Sequence, residues 1–204
     1  MNNIKKKVEE KIKEYSNEEY LAGYIKNEFL TEKGNAEIIL NINNKEELYD
    51  SKTYGNQIDL NKKIYDFIDN KASMLNNDIQ INLHIIGIEF NHQEKERIKH
   101  LISEHYAIEL YKTQKQYRRY KNKIVKLIIM GLISLFCYAI ITFKFSSKFF
   151  IEVLGFLFSF SLWQAFETLI YPLGDIKLKR EAVTQKLIMS ISFENSKVNQ
   201  NVLY

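Results

Sequence analysis

The residues in this chain that could do chemistry are few. The histidines His84, His92, His100 and His105 are the natural candidates for proton transfer or metal ligation near neutral pH. His100 stands four residues from both Glu96 and Glu104, so on a helix the three share one face at a spacing that could hold a metal. A solvated face of alternating charge has the same spacing and is the simpler reading. His84, among alternating apolar residues, falls on the polar side of a strand, as an exposed or edge residue. Tyr49, Asp50 and Lys52 lie in a polar stretch from Asn43 to Gln57, and an enzyme would need them to converge on a pocket. Glu167 follows Trp163 by four residues, on one helical face of an otherwise apolar run. An ionisable group there is costly to bury without a partner, which makes Glu167 and Trp163 candidates for a membrane function. Paired with Lys123, Lys126 or Lys177 at a membrane boundary, Glu167 would instead fix the depth of the helix. The chain contains no G-x-x-x-x-G-K-[ST] phosphate loop, G-x-S-x-G elbow or H-E-x-x-H pair, and the sequence assigns no catalytic residue, cofactor or metal.

The elements that must position these residues are dominated by two apolar stretches. Residues 127–143 carry no charge, near the lower end of the roughly 17–25 residues a helix needs to cross a bilayer. Residues 149–173 carry Glu152 near the start and Glu167 near the end, with an uncharged run from Val153 to Phe166 between them. The link 144–148 between them is too short to return a chain across a membrane, so the two stretches are expected to be antiparallel neighbours in a transmembrane hairpin. Phe143, Phe145, Phe149 and Phe150 at one end, with Trp163 and Tyr171 toward the other, are placed as interfacial aromatics. Gly131, Ser134 and Cys137, with Gly155, Ser159 and Gln164, could let the helices approach closely within the hairpin or between subunits. The alternative is that both stretches are buried helices of a soluble core.

Charge sets the expected orientation. Residues 112–126 hold Lys112, Lys115, Arg118, Arg119, Lys121, Lys123 and Lys126 without an acid, and Lys177, Lys179, Arg180 and Lys186 follow the second stretch. The positive-inside rule then puts both termini in the cytoplasm, as a multi-pass protein of the cell (inner) membrane. The same run, with Tyr117 and Tyr120 available for stacking, could be a nucleic-acid patch. Its position beside a span favours anionic lipid headgroups as partners of Arg118, Arg119, Lys121, Lys123 and Lys126, with nucleic acid the weaker reading.

The only cysteine, Cys137, lies in the first stretch, so no disulfide can form within the chain. Residues 1–16 are charged throughout and show no cleavable signal pattern. The abundance of Lys, Asn, Ile and Tyr has the character of an AT-rich bacterial genome, which weakens any functional reading of the net charge of +4.

Residues 1–111 read as a cytoplasmic α+β domain. Ile4, Val8, Ile12 and Tyr15 recur at helical spacing, and Ser16 to Glu19 has the form of a capping box for a helix with Leu21, Ile25 and Phe29 on one face. Ala36, Ile38, Leu40 and Ile42 alternate as in a strand. Leu60, Ile64, Phe67, Ile68, Ala72 and Leu75 mark a helix from about Asp59, and Ile79, Ile81, Leu83 and Ile85 a strand over 78–86. Strand, helix, strand predicts a βαβ unit with parallel strands. Asn91 to Glu94 should cap a further helix carrying Ile98, Leu101, Ile102 and Ile108, which if continuous to Phe143 would be a rod of roughly 80 Å. In the cytoplasmic segment 174–204, Leu187, Met189, Ile191 and Phe193 alternate as a strand over 187–194. Two strands bury too little, so this one should complete a sheet of about three and make the hairpin an insertion into one small α+β domain.

The stretch Leu60-Asn61-Lys62-Lys63-Ile64-Tyr65-Asp66-Phe67-Ile68, with Trp163-Gln164-Ala165-Phe166-Glu167 and the closing strand, resembles a set of uncharacterised small bacterial two-span membrane proteins. That resemblance brings no activity and no catalytic residue. In layout alone the chain is also similar to two-span membrane effectors of bacterial antiviral systems. The expected function is therefore a membrane-anchored binding or interaction domain, recruiting a protein partner or a second copy of itself. A self-associating effector or pore is the runner-up and an enzyme the third.

Overall fold

In a computed structural model of the chain, residues 5–7, 11, 13, 29–32, 34–53, 55, 58–144 and 148–195 are described. Residues 5–7, 11 and 13 are helical, as expected there; the apolar positions Ile4, Val8, Ile12 and Tyr15, the expected helix from Ser16 to Ile25, and residues 145–147 of the link lie outside the described residues. The elements are β1 (Ala36–Ile42), α1 (Lys45–Leu48), α2 (Lys62–Ala72), β2 (Ile81–Gly87), α3 (His92–Lys144), α4 (Lys148–Ile170), α5 (Pro172–Leu187) and β3 (Ser190–Asn195). The chain divides into two compact units, Met1–Tyr106 with Thr184–Tyr204, and Ala107–Val183. The second is thus an insertion, in sequence, into the first.

The first unit is α+β. Its sheet has the order β1-β2-β3 with both pairs parallel, Ala36 opposite Ile81 and Asn82 opposite Ser190. A parallel neighbour requires a crossover, supplied between β1 and β2 by α2 and between β2 and β3 by everything from α3 to α5. The expected closing strand is therefore present. Alternation turns Ala36, Ile38, Leu40, Ile42, Ile81, Leu83 and Ile85 to one face, where Ile64, Ile68 and Ala72 of α2 and Ile98, Ile102 and Tyr106 of α3 complete the core. Ile108, expected on that helix face, is exposed; the four-residue step from Ile98 and Ile102 leads instead to Tyr106.

Local chemistry sets the element ends. Asn61 caps α2, its side chain accepting from Lys63 N. At α3 the capping box is reciprocal: Glu94 N donates to Asn91 Oδ1 at 2.8 Å, and Asn91 N donates to Glu94 Oε2 at 2.9 Å. Gly87 ends β2 at φ +130°, where an added Cβ would lie 2.0 Å from the Ile42 carbonyl oxygen. Only glycine fits there.

Both later strands start after their expected positions, and one side chain accounts for much of this. Gln185 Nε2 donates to the carbonyls of Asn76 (2.7 Å) and Ile79 (2.6 Å), and Ile79 N donates to Asn76 O. This holds 76–79 as a turn, so β2 begins at Ile81 and not at Asp78. Leu187 belongs to α5, whose pattern of Leu173, Ile176, Arg180, Val183 and Leu187 carries a helical 3/4 spacing that outweighs the strand alternation proposed from 187. Met189, Ile191 and Phe193 nevertheless keep their predicted face.

In the second unit α3 continues without a break from the basic segment to Lys144. Helices α3 and α4 are each long and apolar enough to cross a membrane. Tyr171 N donates to Glu167 O and Asp175 N to Tyr171 O, so α5 follows α4 almost directly, with Pro172 at its first position, where a missing N–H is tolerated.

Candidate functional site

The most buried positions of the seam in the second unit are small residues, flanked along the same stripe by larger ones. On α3 the least exposed positions Thr113, Tyr117, Tyr120, Ile124, Leu127, Gly131, Ser134 and Tyr138 recur at alternating steps of four and three. On α4 the corresponding row is Leu154, Phe158, Ser161, Ala165 and Thr168. Such spacing keeps one stripe of each helix facing the other. A Cβ on Gly131 would stand 3.5 Å from Ser161 Cβ, and one on Gly155 would stand 3.9 Å from the Tyr138 ring. Position numbers rising on one helix as they fall on the other make the pair antiparallel. Farther along, Lys179 meets Glu109 at 3.4 Å and the Arg180 guanidinium lies 4.8 Å from the Tyr117 ring centroid.

The buried hydroxyls of Ser161 and Thr168 bond along their own helix and not across the seam. Ser161 donates to Leu157 O and Thr168 to Gln164 O, both at 2.7 Å and both within α4. These two hydroxyls are thus satisfied within their own helix. The outer faces are the reverse: Phe143 is 90% exposed, Phe136 68%, Phe156 67% and Trp163 65%, whereas Ser161 is fully buried. Small residues at the most buried positions and large apolar ones at the most exposed are the reverse of a water-soluble bundle.

The expected close-approach residues divide accordingly. Gly131 and Ser134 are buried and Gly155 faces Tyr138, but Ser159 is exposed, because the seam follows Phe158 and Ser161. Trp163 and Glu167 lie on the exposed side with Phe156 and Phe160. Glu167 Oε2 accepts from Gln164 Nε2 at 2.8 Å, so its described partner is an amide one turn away on its own helix, not a lysine.

The basic residues are also sorted by the helix. Arg119, Asn122, Lys123, Lys126, Leu127 and Met130 line one open pocket of about 450 Å³, whose lining does not include Arg118 or Lys121. Among the described residues, Arg119, Lys123 and Lys126 form no ion pair, in contrast to Lys179.

In the first unit the second face of the sheet carries Glu37, Ile39 and Asn41 on β1, Asn82, His84 and Ile86 on β2, and Ser190, Ser192 and Glu194 on β3. His84 is on the central strand, not an edge. Its Nδ1 is 2.8 Å from Ser192 Oγ and 3.4 Å from Glu194 Oε1, and its buried Nε2 lies 3.8 Å from Glu37 Oε1. Ser190 Oγ contacts Asn82 Oδ1 at 2.6 Å, so both polar cross-strand pairs tie β3 to β2. Ile39 on this face is 57% exposed. The register of β3 was the missing information: local sequence places His84 on a polar face but not between two carboxylates.

The other candidates have structural duties. Asp50 Oδ1 accepts from Lys52 N, and Asp50 O accepts from Thr53 Oγ1, closing a turn. Tyr49 packs under Arg97 with 5.9 Å from the guanidinium to the ring centroid, and burial pushes its phenol up. Glu96 is engaged by Lys99 at 3.0 Å, and exposed His100 faces Glu104 at 3.6 Å. No group of three or more potential metal ligands occurs among the described residues. Sequence reasoning passed over Tyr65, which is buried, stacks on His105 at 3.7 Å and donates to Asp59 Oδ1 at 2.7 Å. Burial, then the Asp59 bond, pushes that phenol well above its ordinary value.

Fold and surfaces together define an α+β chain with two helices long and apolar enough to cross a membrane. The chain matches no protein-family model, no curated protein and no solved structure.

Proposed function

We propose that this is an integral membrane protein of two spans, α3 and α4, with both termini in the cytoplasm, and that its α+β unit is a binding domain held at the membrane surface. The observation that carries the reading is the inverted hairpin, with Ser134, Ser161, Ala165 and Thr168 buried and Phe136, Phe143, Phe156 and Trp163 exposed. In water that surface would be an aggregation liability; in hydrocarbon it is the expected outer face. The basic residues of 112–126 meet anionic headgroups on the cytoplasmic side.

The binding surface we assign is the polar sheet face around His84, because a parallel sheet ordinarily has both faces covered and Ile39 here does not. Membranes from expressing cells, washed with alkaline carbonate, should retain the protein in the pellet. Release into the supernatant would refute the membrane reading. A photo-crosslinker on Ser192→Cys, in a Cys137→Ser background, should then give a discrete adduct in those membranes, and its absence would refute the surface.

The Gln164–Glu167 pair supports a second reading, self-association of spans as in an effector or pore. A polar pair on an outward stripe of a spanning helix is better satisfied against another helix than against lipid. A ring of copies in mild detergent, with dye leakage from liposomes, would favour it. Monomers without leakage would leave the anchor.

A further inference from the structure

We infer that the Arg119 face of α3 is a discrete site for one anionic phospholipid, resting on the membrane reading above and going beyond a diffuse attraction between a basic segment and a charged surface. Four observations converge on it. Arg119, Lys123 and Lys126 recur at steps of four and three, so three cations stack along less than two and a half turns of one helix face. They line a single open pocket with the Asn122 amide. No described acid neutralises them, although Lys179 in the same unit has Glu109. The pocket floor changes from polar to apolar at Leu127 and Met130, where the uncharged stretch begins.

That order matches a phospholipid from head to tail. A phosphodiester offers anionic oxygens to a guanidinium and two ammonium groups, and the Arg119 fork suits two of those oxygens at once. The Asn122 amide adds a neutral donor for a headgroup or ester oxygen. Leu127 and Met130 then give the first methylenes of an acyl chain an apolar wall, which a free inorganic phosphate would not use. Arg118 and Lys121 do not line the pocket and contribute only to the general field of the segment.

The site and the diffuse field are separated by comparing two variants with equal loss of charge. Protein purified in neutral detergent is titrated with short-chain phosphatidylglycerol, and retained lipid per chain is counted by native mass spectrometry, with phosphatidylcholine and inorganic phosphate as the other arms. Wild type should retain one phosphatidylglycerol in preference to phosphatidylcholine. Arg119→Gln/Lys123→Gln should weaken retention about tenfold or more, and Arg118→Gln/Lys121→Gln by about twofold or less. Equal losses in the two variants would overturn the site in favour of diffuse charge. Displacement of the lipid by inorganic phosphate at matched concentration would overturn the lipid as ligand in favour of a free anion. A protein that carbonate releases from membranes would fail one step earlier, and that outcome rejects the membrane reading itself.

Discussion

The Lys186 ammonium, in the last turn of α5, is bonded to the Asp69 carboxylate in α2, across 117 positions of sequence. Asp69 Oδ1 also accepts from the Tyr106 hydroxyl at 3.1 Å, and the ammonium lies 4.8 Å from the Tyr106 ring centroid. The Lys186 side chain is 10% exposed against 40% for Asp69. One largely desolvated cation thus ties together helices contributed by three separate parts of the chain, immediately before β3 begins.

Removing that tie should be felt by the whole first unit. Lys186→Ala leaves Asp69 and the Tyr106 hydroxyl without their cation and should destabilise by about 1–2 kcal/mol, a figure held down by the exposure of Asp69. Lys186→Met keeps the packed stem and should cost less. Thermal unfolding followed by circular dichroism in detergent measures both. Equal losses would show that the charge alone carries the contact, and no loss in Lys186→Met would show that the packed stem does.

Gly87 and Gly34 make a second, internally controlled comparison. Both have positive φ, but a Cβ at Gly87 meets the Ile42 carbonyl at 2.0 Å, whereas one at Gly34 meets nothing within 4 Å. Gly34→Ala should cost about 1 kcal/mol from backbone conformation alone. Gly87→Ala should cost about 3 kcal/mol or more, because the end of the β1–β2 ladder must separate. The ranking is read from unfolding midpoints in urea.

The hairpin seam predicts a disulfide. With 3.5 Å between a Cβ built on Gly131 and that of Ser161, the pair falls at the short end of the range disulfides span. In a Cys137→Ser background, Gly131→Cys/Ser161→Cys should oxidise within one chain, seen as a fast-migrating monomer band. A crosslinked dimer in its place would show that these residues meet between copies.

Acid should loosen the start of α3. The Lys45 side chain and the Asn91 N–H bond the Glu94 carboxylate and hold its pKa below the ordinary glutamate value. A group with a depressed folded pKa contributes stability above its unfolded pKa and loses it as pH falls through the folded one. Stability should therefore decline as pH drops below the ordinary glutamate range, and Glu94→Gln should flatten that part of the curve. An unchanged pH profile in Glu94→Gln would mean that ionisation of Glu94 contributes nothing to stability.

Much of this architecture is visible in local sequence, since period and capping are local. β1 and the capping box at Asn91 occur where alternation and side-chain chemistry put them, α2 is shorter than its pattern suggests because Asn61 caps it and Leu60 bridges to Tyr49, and Met189, Ile191 and Phe193 identify the third strand. What local pattern misses is set at long range. Gln185 decides where β2 starts by claiming two carbonyls more than 100 positions away. Helix α5 was hidden because Leu187 satisfies both a helical and a strand period, and Pro172 marks a start as easily as a stop. The placement of His84 between Glu37 and Glu194, and the division of the basic residues between Arg119 and Arg118 faces, depend on register and helix rotation. Neither follows from composition.

A chain that crosses a membrane twice and returns to finish the sheet it began must show one short loop outside and both ends of the first unit inside. Labelling of single cysteines with a membrane-impermeant maleimide, in a Cys137→Ser background, tests this most directly. Lys148→Cys at the start of α4 should react on intact cells, and Met74→Cys and Ile188→Cys, both at exposed positions, should react only after permeabilisation. Reaction of Met74→Cys or Ile188→Cys on intact cells, or protection of Lys148→Cys there, would contradict the account.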